Sequence, residues 1–334
     1  MIRVAVLGCG YWGPNLLRNF AESPSFQVVA CADADAGRFE RLAWRYPSVR
    51  FTTDYERVLR DTSIDAVAIA TPADTHHPLA CEALSQGKHV LVEKPLATTV
   101  AHAEELVRYA NSQGLTLMVD HTFVYTGAVR KMREIVDHDE LGMVYYFDSV
   151  RVNLGLFRHD VNVLWDLAPH DLSIMDFVLQ KRPVAVSAVG DAHINRAVID
   201  VAYLTVYFDD ATLAHFHCNW LAPVKIRRLI IGGSKRLVLY DDGEPSEKVK
   251  IYDRGIDGVA SNDVYNKLVQ YRLGNMSAPH LESGEALSVA CDHFADCIRT
   301  KREPTTGGES GLQVVRILEA AERSLAHDSR KVAL

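Results

Sequence analysis

No stretch of this chain approaches the ~20 consecutive apolar residues that a membrane helix needs, so no membrane span is expected. No block of lysine and arginine occurs either. With a formal net charge of -7, nucleic acid is not an expected partner. Cysteine is sparse: Cys9, Cys31, Cys81, Cys218, Cys291 and Cys297 are scattered, with no C-x-x-C spacing. That argues against a disulfide framework or a zinc ribbon and fits reduced thiols in a cytoplasm. The opening "MIRVAVLGCG" lacks the charged start, long apolar stretch and cleavage site of a signal peptide. A cytoplasmic location is therefore expected. There is no low-complexity linker and no internal repeat.

What the chain does have is an ordinary globular composition, 48% hydrophobic and 24% charged, over 334 residues, room for two domains. Through its first third, β-branched runs alternate with helical patterns. "IRVAVLG", "FQVVACAD", "DAVAIATP", "HVLVEKP" and "LTLMVDH" read as strands, separated by "PNLLRNFAES", "AGRFERLAWRY", "HPLACEALSQG" and "VAHAEELVRYANSQG" as helices. This alternation predicts a doubly wound parallel sheet (α/β) over residues 1–122. From 123 to 334 the pattern changes to α+β. The helical stretches "TGAVRKMREIVDH" and "NVLWDLAPHDLSIMDFVLQ" accompany a series of strand-like runs ending at turns such as "FDDAT" and "YDDGE". An open-faced, mostly antiparallel sheet with flanking helices is expected there. Its broad face could pair with a second subunit.

Parallel sheets of this kind bind ligands beyond the carboxyl ends of their strands. At the first such end lies "GCGYWG", with Gly8, Gly10 and Gly13. It follows a strand and precedes a helix, the context in which G-x-G-x-x-G cradles a pyrophosphate at a helix N-terminus. Asp33, about 25 residues after Gly8 at the end of the second strand, is placed to bond an adenosine ribose and to repel a 2′-phosphate. NAD is therefore expected rather than NADP. Asp35 competes for that role, Arg38 could soften the exclusion, and either aspartate could instead cap the next helix. Pro72, Glu93, Lys94 and His121 sit at later strand ends, and Pro95 would fix the direction of Lys94. Asp166 and His170 are spaced i, i+4, which puts them on one helical face.

The motifs "VAVLGCGYWG", "AIATPADTHHPLACEALSQGKHVLVEKPLA" and "WDLAPHDLSIM", in this order, resemble the glucose–fructose oxidoreductase / inositol dehydrogenase / MocA family of nicotinamide-dependent sugar oxidoreductases over nearly the whole chain. The resemblance implies that residues 1–122 are a Rossmann domain and that Lys94, His170 and Asp166 form the catalytic set. Lys94 or His170 would take the hydroxyl proton as a hydride leaves, and Asp166 would orient or charge-stabilise one of them. It places Tyr11, Trp12, Thr71, Pro72, His76, Glu93 and Lys94 beside the cofactor, with the glycines, Asp33 and Arg38, and it implies a dimer or tetramer. The family often has a cis bond before the motif's proline. Ala168 and Ser173 depart from the family pattern, which often has glycine and an acid there.

The "GYWGPNLLRNF" stretch and the C-terminal helices look like the branch acting on nucleotide-linked sugars, including UDP-N-acetylglucosamine 3-dehydrogenases. Its substrate contacts would come from Lys94, His121, Arg151, Asn153, Arg158, Asp166, His170, Tyr271 and Arg272. A free polyol or sugar is the alternative substrate, and a non-catalytic NAD-binding regulator a remoter one. No metal is expected: nothing recognisably completes a ligand set around His76 and His77 or around His215 and His217, and hydride transfer needs none.

Overall fold

The computed structural model describes residues 1–155, 161–260 and 268–334. In chain order the first elements are β1 (Ile2–Leu7), α1 (Gly13–Glu22), β2 (Phe26–Ala32), α2 (Phe39–Arg45), β3 (Arg50–Thr52), α3 (Tyr55–Leu59), β4 (Ala66–Ile69), α4 (Ala73–Ser85), β5 (His89–Glu93), α5 (Val100–Gln113) and β6 (Leu117–Asp120). The strands form one parallel sheet in the order β3-β2-β1-β4-β5-β6. Strand order reverses between β1 and β4, which puts the glycine loop at the topological switch point. The central strands are covered on both faces, as parallel strands require: Val4, Ala5, Val6, Ala66, Val67, Val90 and Leu91 are all fully buried.

Helix α4 begins at Ala73, earlier than the "HPLACEALSQG" pattern suggests, and holds Pro78 within it. The first turn of α4 escaped the periodicity because it carries few apolar residues, while the helical stretch expected from Ala36 opens as a single 3-10 turn, Ala36–Arg38, before α2 begins at Phe39.

The remaining elements are α6 (Gly127–Asp137), β7 (Val144–Leu154), α7 (Val163–Leu179), β8 (Pro183–Asp191), β9 (Val201–Phe208), β10 (Leu213–Asn219), β11 (Leu221–Gly233), β12 (Leu237–Asp241), β13 (Val249–Tyr252), β14 (Gly255–Ala260), β15 (Leu268–Arg272), β16 (Met276–Ser277), α8 (Ala286–Thr300), α9 (Gly308–Leu325) and β17 (Val332–Ala333). A nine-stranded sheet runs β16-β13-β12-β11-β7-β10-β9-β8-β17. It is antiparallel except where β10 pairs with β7. Strands β14 and β15 form a separate hairpin. On β9 the even positions 202–208 are buried and Tyr203 is exposed, and on β10 Ala214, Phe216 and Cys218 are buried. One face thus carries the core and the other is open.

The described residues divide into two compact units, Met1–Tyr125 with Gly284–Arg316, and Thr126–Ser283 with Ile317–Leu334. This moves the expected boundary from 122/123 to 125/126 and returns a C-terminal segment to the first unit. The cause is packing that no local pattern announces. On α8, Phe294 stacks on Phe26, and the residue at its N-cap, Glu285, pairs with Arg18. At the start of α9, a Cβ on Gly308 or Gly311 would press against Val107 or Val119, so only glycine permits so close an approach to the sheet and α5.

Candidate active site

Gly8 follows β1 with φ +96°, and a Cβ there would lie 2.5 Å from the Ala70 carbonyl oxygen. A side chain at Gly13 would collide with the Gly8 carbonyl, whereas one at Gly10 would meet only the Arg38 guanidinium, at 3.2 Å. The loop is therefore close-packed on its sheet side and open at Gly10, the shape that lets a pyrophosphate approach backbone N–H groups. NAD fits this cradle.

The structure places the two aspartates differently. Asp35 is 63% exposed and accepts the Gly37 N–H, capping the 3-10 turn. Asp33 is 8% exposed; its Oδ2 accepts the Cys9 N–H at 2.6 Å and its Oδ1 the Asp35 N–H at 2.9 Å. Asp33 thus ties the end of β2 to the glycine loop. Arg38 reaches both acids, 3.3 Å from Asp33 and 3.4 Å from Asp35.

Other expected cofactor residues serve the loop from behind. Trp12 donates its Nε1–H to Asp120 at 2.7 Å, and Tyr11 stands 91% exposed. His76 is buried, with Nδ1 2.7 Å from the Pro95 carbonyl oxygen and Nε2 2.9 Å from that of Thr71. It therefore braces the two strand-end loops. The Thr71 and Thr75 hydroxyls are 2.7 Å apart. Pro72 is the N-cap of α4, and the Lys94–Pro95 peptide is cis.

Glu93 and Asp120 end adjacent parallel strands in register. The sequence paired Glu93 with Lys94, but its carboxyl group also bonds to that of Asp120. Desolvation and the Asp120 carboxylate push Glu93 well above the usual carboxyl range, with Lys94 opposing; desolvation raises Asp120 as well. A carboxylate beside a second buried carboxyl group disfavours that group's charged form. Asp120 also accepts from the Thr122 hydroxyl at 2.8 Å. Beside this pair, His121 is buried, and neither ring nitrogen has a hydrogen-bond partner among the described residues. Burial and then the Lys94 charge push its pKa down to about 3, so it is a neutral imidazole at physiological pH.

In the second unit, α7 carries Asp166 and His170, as the spacing predicts. From Val163 to Met175 these two positions alone are not buried. Asn162 caps the helix by accepting the Leu164 and Trp165 N–H groups. Asp166 accepts the Trp220 Nε1–H at 3.0 Å, and a Cβ on Gly155 would meet both Trp220 and Asn153. A buried tryptophan thereby fixes the acid's rotamer, and Asn153 lies beside it. Ser173 donates its hydroxyl to the His170 carbonyl at 2.8 Å.

Two expected substrate residues are otherwise engaged. Arg151 is buried and forks onto Asp171, Nε at 2.8 Å and Nη2 at 2.6 Å, so its guanidinium is an internal ion-pair partner. Arg272 pairs with Asp253 at 3.3 Å and bonds the Lys235 carbonyl. Tyr271 lies on β15, and Arg158 lies outside the described residues. His217 stacks on Tyr203 with centroids 4.5 Å apart, so sheet packing accounts for it. Sequence reasoning missed Asp120, Asp171 and Trp220. Asp120 could have been found by extending the strand-end rule one residue before His121; no local signal marks the others.

Residues 2–121 match the profile described as "Oxidoreductase family, NAD-binding Rossmann fold", and residues 129–238 that of the "GFO/IDH/MocA C-terminal domain". The chain is 26% identical to the UDP-N-acetylglucosamine 3-dehydrogenase of Acidithiobacillus ferrooxidans, covering 94% of each. It is also 26% identical to the scyllo-inositol 2-dehydrogenase (NAD(+)) of Bacillus subtilis, over 91% of this chain and 88% of that one. Its structure matches that of GenD2 from gentamicin A biosynthesis in complex with NAD, with TM-score 0.83 and 26% identity, over 100% of this chain and 96% of that one.

Proposed function

The chain belongs to the GFO/IDH/MocA family of NAD-binding oxidoreductases acting on sugar hydroxyls, and on that premise we propose that it oxidises the C3 hydroxyl of a nucleotide-linked amino sugar, UDP-N-acetylglucosamine or a close relative, to a 3-keto sugar. The observation that carries this reading is the likeness to the Acidithiobacillus 3-dehydrogenase along 94% of both chains. The branch-like glycine loop supports it.

NAD, when bound, accepts the hydride that leaves the carbinol carbon. The chain's own residues then have to manage the proton and the orientation. Lys94 or His170 takes the hydroxyl proton, and Asp166, held by Trp220, orients the set. A positioned acid–base group of this kind contributes ~10²–10⁴ in rate. His121, neutral and with unused hydrogen-bonding capacity, supplies a contact for a sugar hydroxyl. Glu93 and Asp120 anchor the strand ends that carry Lys94 and His121.

The test is a screen for NAD reduction against UDP-N-acetylglucosamine, its uronic acid, free inositol and glucose. Turnover of a UDP-sugar supports the reading. Robust turnover of free inositol with none on any UDP-sugar overturns it and establishes the polyol reading, which the scyllo-inositol relative favours. The enzyme is further proposed to be cytoplasmic and to self-associate as a dimer or tetramer. The open face of the large sheet, with Tyr146, Val189, Tyr203 and Leu213 exposed, supports the self-association. No described helix is long and apolar enough to cross a membrane.

A further inference from the structure

Helices α4 and α5 bring together three side chains that the reaction does not use. His77 and Cys81 are one turn apart on α4, and Glu105 projects from α5. The Nε2 atom of His77 lies 3.0 Å from Oε2 of Glu105 and 3.5 Å from Sγ of Cys81, and all three donor atoms lie within 4.8 Å of one another. A single ring nitrogen facing both an oxygen and a sulfur cannot donate one proton to both. A cation at their centre would bind all three.

We propose that His77, Cys81 and Glu105 form a binding site for a soft divalent cation of the zinc type, joining α4 to α5. The distances carry the argument. A tetrahedral zinc ion separates a thiolate sulfur from an imidazole nitrogen by about 3.5 Å, and that nitrogen from a carboxylate oxygen by about 3.3 Å. The sulfur–nitrogen separation already has that value, and the nitrogen–oxygen one is a few tenths of an ångström short. Glu105 is 55% exposed and can adjust without disturbing the core.

The donor set selects the ion. Sulfur with nitrogen favours zinc or cobalt over magnesium or calcium, which take oxygen ligands. Three protein ligands leave the fourth position to water. His102 stacks on the His77 ring, centroids 3.9 Å apart and 11° from parallel. On binding, the Cys81 S–H bond breaks, its proton passes to solvent, and a sulfur–metal bond replaces it. No electrons are exchanged.

The cysteines make the experiment clean, because Cys81 is the one of the six that is not buried. Untagged full-length protein, stripped with a chelator, is titrated with Co²⁺ under anaerobic conditions. The expected result is a thiolate-to-cobalt charge-transfer band saturating at one equivalent. Cys81→Ser should abolish it, and His77→Asn or Glu105→Gln should weaken binding at least about tenfold. Zinc should raise the Tm of the wild type and leave that of Cys81→Ser unchanged. Retention of NAD binding by Cys81→Ser confirms that the variant is folded. Absence of the band at stoichiometric cobalt, or its persistence in Cys81→Ser, overturns the proposal and leaves His77 and Glu105 as an ordinary ion pair.

Discussion

Asp33→Asn tests the reading of the cofactor site with the least disturbance. The substitution keeps the side-chain size and one acceptor oxygen, so the loop-closing bond from the Cys9 N–H can persist. It removes the negative charge that would receive the ribose hydroxyls. Hydrogen bonds to a charged group contribute about 1.5–3 kcal/mol, so NAD should bind roughly 10- to 150-fold more weakly. A second consequence follows from Arg38, which spends part of its charge on Asp33 at 3.3 Å. Without that partner the guanidinium, about half exposed, becomes available to a 2′-phosphate. NADP affinity should therefore rise or hold while NAD affinity falls. Arg38→Ala in the Asp33→Asn background should remove whatever NADP affinity was gained. Calorimetric titration of both nucleotides against the three proteins measures all of this. An NAD affinity within twofold of wild type in Asp33→Asn would refute the assignment, as would a wild type that prefers NADP.

Lys94→Ala and His170→Ala should each lower kcat by ~10²-fold or more while NAD affinity stays near wild type; if both act on one proton transfer, the double variant loses less than the product. Calorimetry beside steady-state kinetics separates the two effects, and two near-normal kcat values would remove both residues from the chemistry. Arg151→Ala leaves the Asp171 charge buried and alone, so it should cost about 3–5 kcal/mol in denaturant unfolding, whereas Arg151→Met with Asp171→Leu should recover most of that. The Glu93–Asp120 pair makes a pH prediction. Both groups are raised in the folded state, so between the ordinary carboxyl range near about 4 and the higher folded values the native protein holds more protons than the unfolded chain. Their contribution to stability is therefore greatest below about 4 and declines as pH rises through that window. Asp120→Asn should flatten the decline in a Tm series from pH 4 to 8, and an unchanged slope would show that the pair takes up no proton on folding.

Most of the first unit was legible in the chain, because parallel strands buried on both faces and amphipathic helices write their periods directly into the order of residues. Gly8, Asp33, Lys94 and His121 could be placed at strand ends from that alternation alone, and Asp166 with His170 from helical spacing. Proximity between distant segments has no such local signature. That Trp12 bonds Asp120, that Trp220 holds Asp166, that Arg151 is spent on Asp171, and that α8 returns to the first unit all depend on contacts between residues tens to hundreds of positions apart. The same holds for Glu93. Its own strand shows an acid beside Lys94, but only the register of β5 against β6 puts a second carboxyl group against it and so determines which of its neighbours sets its charge.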